Sequence, residues 1–219
     1  LLILDEEHRF GVKDKERLKG FKAELDVLSM TATPIPRTLH LSINGLRSMS
    51  ILSTPPRDRL SVYTQLSRLS PSLVREASLA ELRRGGQVFY VYNRVETIET
   101  KRAWLQTLLP SATIDVAHGK MRPEELEEVM QRFVEGRSQV LVCTTLIETG
   151  IDIPRANTMF IDKAHTFGLA QLYQLRGRVG RSHERARCYL LVPSEELISE
   201  QARERLKVLQ RFTDLGSGF

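Results

Sequence analysis

Cysteine is scarce in this chain of 219 residues: only Cys143 and Cys188 occur. Neither belongs to a C-x-x-C pair or a Cys/His cluster, which argues against zinc and gives no basis for a disulfide framework. Each sits in a strand-like apolar run, Val140-Leu-Val-Cys143 and Cys188-Tyr-Leu-Leu-Val192, and reads as a small buried hydrophobe. That usage leads us to expect a reducing, cytoplasmic compartment. Long hydrophobic runs are also missing, and none approaches the ~20 residues of a membrane span. The opening Leu1-Leu2-Ile3-Leu4 leads straight into acids, without the basic flank of a signal peptide. With no initiator Met and an abrupt start in a strand, the expectation is a fragment. Finally, no G-x-x-x-x-G-K-[ST] phosphate loop occurs anywhere in the sequence.

What is present is an ordinary soluble composition, 41% hydrophobic, with 32 Lys+Arg against 27 Asp+Glu and a net charge of +5. The pI near 9.4 is compatible with a polyanionic partner without requiring one. Short apolar runs alternate with helical patterns, which predicts βαβ units and a parallel sheet, an α/β fold. Strands are expected at 1–5, 26–30, 61–66, 87–92, 113–117, 139–143, 157–162 and 187–192. The clearest helix runs over 123–135: Pro123 opens it, Glu124 and Glu125 suit its positive end, and Gly136 closes it. Leu126, Val129, Met130 and Phe133 form its apolar face. A second helix is expected at about 94–109 and a third from Glu195, with Ile198, Ala202, Leu206, Leu209 and Phe212 on one side. The Pro55-Pro56 punctuation marks a linker at 54–59. It separates 1–53, the back part of one α/β domain, from a complete second domain at 60–193. Residues 194–219 then begin a helical extension.

Four stretches carry residues suited to phosphate chemistry. Asp5-Glu6-Glu7-His8 ends an apolar strand; one carboxylate there can hold Mg²⁺ and its neighbour can polarise a water. Read alone, a solvated acidic loop fits it as well. Thr31-Ala32-Thr33 follows the next strand and can either bridge by hydrogen bonds or cap a helix. Thr144-Thr145 and Gly150-Ile151-Asp152 follow the strand ending at Cys143, where hydroxyls and backbone amides can grip phosphates. Gln174-Leu-Arg-Gly-Arg178-Val-Gly-Arg181 is the most specific. Its guanidinium forks stay charged at any working pH, and a spacing of three lets Arg178 and Arg181 face one ligand on a helix. Arg176, Arg185 and Arg187 read as a solvated or nucleic-acid face.

In this order the four stretches resemble motifs II, III, V and VI of the superfamily 2 helicases and translocases, with Asn93 and His118-Gly119 in the places of the fourth-motif group. The resemblance spans nearly the whole chain and implies two RecA-like domains with ATP in the cleft between them. Within the superfamily, Asp5-Glu-Glu-His-Arg-Phe-Gly-Val12, Met30-Thr-Ala-Thr-Pro-Ile-Pro-Arg-Thr38 and Gly168-Leu-Ala-Gln-Leu-Tyr-Gln-Leu-Arg-Gly-Arg-Val-Gly-Arg-Ser182 look like signatures shared by the RecG and transcription-repair coupling families. Glu7, Ile147–Pro154 and Asp214–Phe219 favour the coupling family.

The resemblance implies roles position by position. Asp5 would hold Mg²⁺, and Glu6, Arg178 and Arg181 would be catalytic. Gly150 and Asp152 would touch ATP. His8, Thr31, Thr33 and Gln174 would couple nucleotide state to movement. Asn93, His118, Thr144 and Thr145 would contact DNA. Implied partners are double-stranded DNA and, through modules absent from these residues, RNA polymerase and repair proteins, with no membrane. Without the first motif and its lysine, the isolated chain is expected to be inactive. Two alternatives stand beside this reading: a RecG-like branched-DNA helicase, and a non-catalytic nucleic-acid-binding module.

Overall fold

The computed structural model describes residues 1–5, 25–30, 50, 60–145, 153–194 and 198–211. The chain divides into two compact units, Leu1–Leu52 and Ser53–Phe219.

In the first unit, β1 (Leu2–Asp5) and β2 (Val27–Met30) pair in parallel, from Leu2 opposite Val27 to Asp5 opposite Met30. The Leu2 amide donates to the Asp26 carbonyl at 2.7 Å. Leu4 is buried, whereas Leu1, Ile3, Leu28 and Met30 are exposed.

The second unit is built on β3 (Tyr63–Arg68), β4 (Gln87–Val91), β5 (Ile114–Ala117), β6 (Val140–Cys143), β7 (Ala156–Ile161) and β8 (Arg187–Val192). They form one sheet in the order β3-β8-β7-β4-β6-β5, and every pairing is parallel. This is the α/β architecture the alternating pattern predicts. Among the described residues five helices cover the sheet: α1 (Pro71–Arg83), α2 (Ile98–Leu108), α3 (Pro123–Val134), α4 (Leu169–Arg176) and α5 (Glu200–Arg211).

Strand alternation sorts the apolar side chains into two cores. On one face Phe89, Val91, Leu141, Cys143, Met159 and Ile161 pack with Phe133 of α3, Leu172 and Leu175 of α4, and Leu206 and Leu209 of α5. On the other, Val88, Tyr90, Val142 and Phe160 pack with Val74 of α1 and with Ile98 and Leu105 of α2. Three rings cross neighbouring strands there: Tyr90 lies 5.8 Å from Phe160, which stacks on Tyr189 at 5.0 Å. Burial also disarms both thiols, lifting Cys143 well above its ordinary range and Cys188 to about 12.

Helix α3 keeps the expected face, with Val129, Met130 and Phe133 buried, and Gly136 at φ +79° follows its end. Helix α5 buries Ala202, Leu206 and Leu209 in the same core as α3 and α4. Phe212 lies outside the described residues, as does the linker. Arg176 differs from the solvated reading. It is only 2% exposed, its Nη1 donates to the Leu209 carbonyl at 3.0 Å, and its guanidinium lies 4.8 Å from the Tyr173 ring. A planar cation can be buried when a carbonyl and an aromatic face replace its water, and here it ties α4 to α5.

Candidate functional site

Because all pairings of the large sheet are parallel, β5, β6, β4 and β7 end side by side on one edge. Backbone bonds stitch these ends together. The Thr144 amide donates to the Ala117 carbonyl at 3.2 Å, Tyr92 to Cys143 at 2.7 Å, and Asp162 to Val91 at 2.9 Å. The first residues past the strands therefore line up as His118, Thr144 and, beyond Tyr92, Asn93, with Asp162 at the end of the row. Four sequence-predicted residues meet here, since Thr145 follows Thr144. Asn93 is exposed, His118 and Thr145 are half-buried, and Thr144 is 8% exposed. The expectation of a free backbone amide fails at Thr144, because strand stitching uses that N–H. At His118 the amide donates to Met121 Sδ at 3.4 Å, while the buried ring Nδ1 has no hydrogen-bond partner among the described residues. Lys120 Nζ pairs with Glu96 at 2.9 Å, joining the loops after β5 and β4, and holds that carboxyl below its ordinary range.

The fourth strand end carries a group that motif reading missed. Asp162 is 5% exposed and lies 2.9 Å from Lys101 Nζ of α2; it also accepts from the Tyr90 hydroxyl at 3.1 Å. The ammonium is enclosed by rings, 4.5 Å from the centre of Trp104, 5.1 Å from Tyr92 and 5.6 Å from Tyr90. Burial first, then the Asp162 charge, raises the Tyr90 phenol far above its ordinary pKa, so it stays a donor. A bare carboxylate on this edge would repel phosphates; Lys101 cancels that charge locally.

The arginine segment lies on the opposite edge. Helix α4 carries the half-buried Gln174 and ends at Arg176, so Arg178 and Arg181 do not share a helix as their spacing suggests. The winding persists only as single turns, with the Arg178 amide donating to Leu175 and the Val179 amide to Arg176. Gly180 then adopts φ +75°, a left-handed conformation that ends the turns. A Cβ at Gly180 would come within 3.1 Å of Val62 Cγ2 and 3.3 Å of Ala186 Cβ. Val62 and Ala186 immediately precede β3 and β8, which puts this segment at the strand starts. Arg178 and Arg181 are both half-buried there.

Among the described residues two sets of side-chain bonds reach the segment, and neither stands out in the sequence. The Ser182 hydroxyl donates to Asn157 Oδ1 at 3.0 Å, and Asn157 Nδ2 donates to the Pro154 carbonyl at 3.2 Å. Glu184 receives Arg84 Nη1 at 3.1 Å. The same guanidinium grips buried Glu81 through Nη2 at 2.6 Å and Nε at 3.1 Å, and the Thr158 hydroxyl donates to Glu81 at 2.6 Å. The Glu81 bond raises the Arg84 pKa. Gly86 leaves room for this arrangement: a Cβ there would lie 1.7 Å from Glu81 Oε1.

A triphosphate calls for permanently charged planar donors, and Arg178 and Arg181 supply that chemistry. Magnesium calls for carboxylates. Asp5 closes β1, while Glu6, His8, Thr31, Thr33, Gly150 and Asp152 lie outside the described residues. Among the described residues no group of three or more His, Cys, Asp or Glu could hold a metal ion. Among them, too, no helix is long and apolar enough to cross a membrane.

Residues 70–183 match the helicase conserved C-terminal domain. Over all 219 residues the chain is 56% identical to a transcription-repair-coupling factor of Myxococcus xanthus and 54% identical to that of Escherichia coli K12. It spans 18% and 19% of their lengths. Among solved structures, RecG bound to a three-way DNA junction superposes with a TM-score of 0.77 at 38% identity, covering 98% of this chain and 28% of that one. The parallel sheet, the motif residues at its two edges and these likenesses agree: the chain belongs to the helicase conserved C-terminal domain family, within the superfamily 2 helicases.

Proposed function

We propose that this chain is part of an ATP-driven translocase on double-stranded DNA, of the kind that couples transcription to DNA repair by displacing stalled RNA polymerase. The observation that carries the reading is the row of His118, Thr144 and Asn93 on one sheet edge. Three motif residues far apart in sequence become neighbours in space, as a grip on a repeating phosphate backbone needs. Thr145 extends the row.

The arginine segment on the other edge serves the nucleotide. Bound ATP supplies the phosphoanhydride whose hydrolysis drives movement. Arg178 and Arg181 would hold its terminal phosphate and stabilise developing charge, as Gly150 and Asp152 hold the rest. Asp5 would keep Mg²⁺ in place and Glu6 would orient the attacking water. Gln174, His8, Thr31 and Thr33 would pass nucleotide state to the DNA grip. In domain terms, 1–53 would be the C-terminal portion of a first RecA-like domain and 60–193 the second. Residues 54–59 would link them, and 194–219 would begin the helical extension. RNA polymerase and repair proteins would bind modules outside these residues, and the chain by itself would not hydrolyse ATP.

A chimaera tests this, with these 219 residues replacing the matching segment of the full-length Myxococcus xanthus coupling factor. Arg181→Ala should lower its kcat for ATP by about 10³-fold or more. An unchanged rate would remove the arginine from the phosphate. The likeness to RecG favours a second reading, a branched-DNA helicase; fork regression by the chimaera without displacement of stalled polymerase would select it. If the chain alone binds duplex with a steep salt dependence and the chimaera never hydrolyses ATP, a non-catalytic binding module is the better description.

A further inference from the structure

After Ala156, β7 carries two polar residues, Asn157 and Thr158, although all six of its residues are buried. Strand geometry sends them to opposite faces. Thr158 bonds Glu81 of α1, and Asn157 faces the segment that leads from α4 to β8. A buried amide is costly unless both its ends are satisfied, and Asn157, at 3% exposed, has both ends bonded. Its carbonyl oxygen takes the Ser182 hydroxyl, one residue after Arg181. Its amide nitrogen reaches the Pro154 carbonyl, two residues after Asp152. One side chain thus fastens the stretch carrying Gly150 and Asp152 to the stretch carrying Arg178 and Arg181.

We propose that Asn157 is a positioning residue for nucleotide hydrolysis: it fixes the spacing between the two stretches so that both meet the same triphosphate. This rests on the reading given above, that both serve the nucleotide. Arg84 and Glu184 brace the arginine segment from the α1 side, but they do not touch the Asp152 side. Asn157 alone, among the bonds described, joins the two. Loss of that bond removes a described tie between the two stretches. A misplacement of about an ångström costs up to roughly 10²-fold in rate.

In the same chimaera, Asn157→Ala should lower kcat for ATP by about 10-fold or more. Duplex affinity should stay at the wild-type value, because the DNA row lies on the other edge. Ser182→Ala should show part of the same loss. The double variant should lose less than the sum of the two single losses, since both substitutions break the Asn157–Ser182 bond. A general loss of structure would instead lower kcat and duplex affinity together, and that result overturns the proposal. So does wild-type kcat in Asn157→Ala when Arg181→Ala is inactive. If Arg181→Ala itself keeps full activity, the underlying reading of the arginines fails instead. Should Asn157→Ala not accumulate, Ser182→Ala with unchanged kcat overturns the proposal by itself.

Discussion

The two edges of the large sheet each bury one carboxylate, and each neutralises it differently. At the strand starts Glu81 is held by the bidentate Arg84 and by Thr158. At the strand ends Asp162 is held by Lys101 and the Tyr90 hydroxyl. The arginine passes its second arm to Glu184 and thereby reaches the segment of Arg178 and Arg181. The lysine passes nothing on: its ammonium is enclosed by Tyr90, Tyr92 and Trp104. A fork of five donors can join two acids at once, whereas a compact ammonium serves one site. One edge therefore uses its buried acid as a bracket for neighbouring chain. The other seals its acid beneath rings.

The largest effect should follow from breaking the seal. Lys101→Met leaves Asp162 buried without a counter-charge and should cost about 3 kcal/mol of unfolding free energy in urea. Lys101→Met combined with Asp162→Asn should recover most of it; a double variant as weak as the single would mean that the rings, not the charge, need the lysine. Opening the bracket should cost less. Thr158→Val removes one of three bonds to Glu81 and should lower stability by about 1–2 kcal/mol. It should leave duplex affinity untouched, and a fall in affinity would break the contrast between the edges. Asn93→Ala should do the reverse, shifting stability by less than about 0.5 kcal/mol while weakening duplex binding and flattening its salt dependence.

The smallest effect concerns pH. His165 has its pKa lowered, by burial first and then by Lys163. The unfolded chain therefore takes up this proton at a higher pH than the folded one. The histidine's contribution is intact above about 6.5 and is lost as pH falls through the lower folded value. In His165→Asn the thermal midpoint should fall less between pH 7 and pH 5 than in the wild type.

The sheet was legible in the sequence because its strands are buried on both faces, so each reads as an apolar run. All eight strands lie within two residues of their expected ends. Helix α1 was not legible: its buried face includes Ser78 and Glu81 beside Val74 and Ala77, which blurs the apolar period. The bracket was hidden for a related reason. Asn157-Thr158 sits in what reads as an ordinary strand, and only their adjacency in a fully buried run hints at a polar task. Arg176 was misjudged because arginine seldom goes inside; its partners, the Tyr173 ring and the Leu209 carbonyl, are visible only once α4 and α5 are packed. At the strand ends His118, Thr144 and Asn93 come together, an alignment that depends on strand order, which the sequence pattern does not reveal.

Arg176 has a mechanical consequence. Its charge does not titrate and its fork is pinned against an oxygen of α5, so the last described helix cannot slide along α4 without breaking that buried bond. A pull on α5 would be felt first at Arg176, two residues from Arg178.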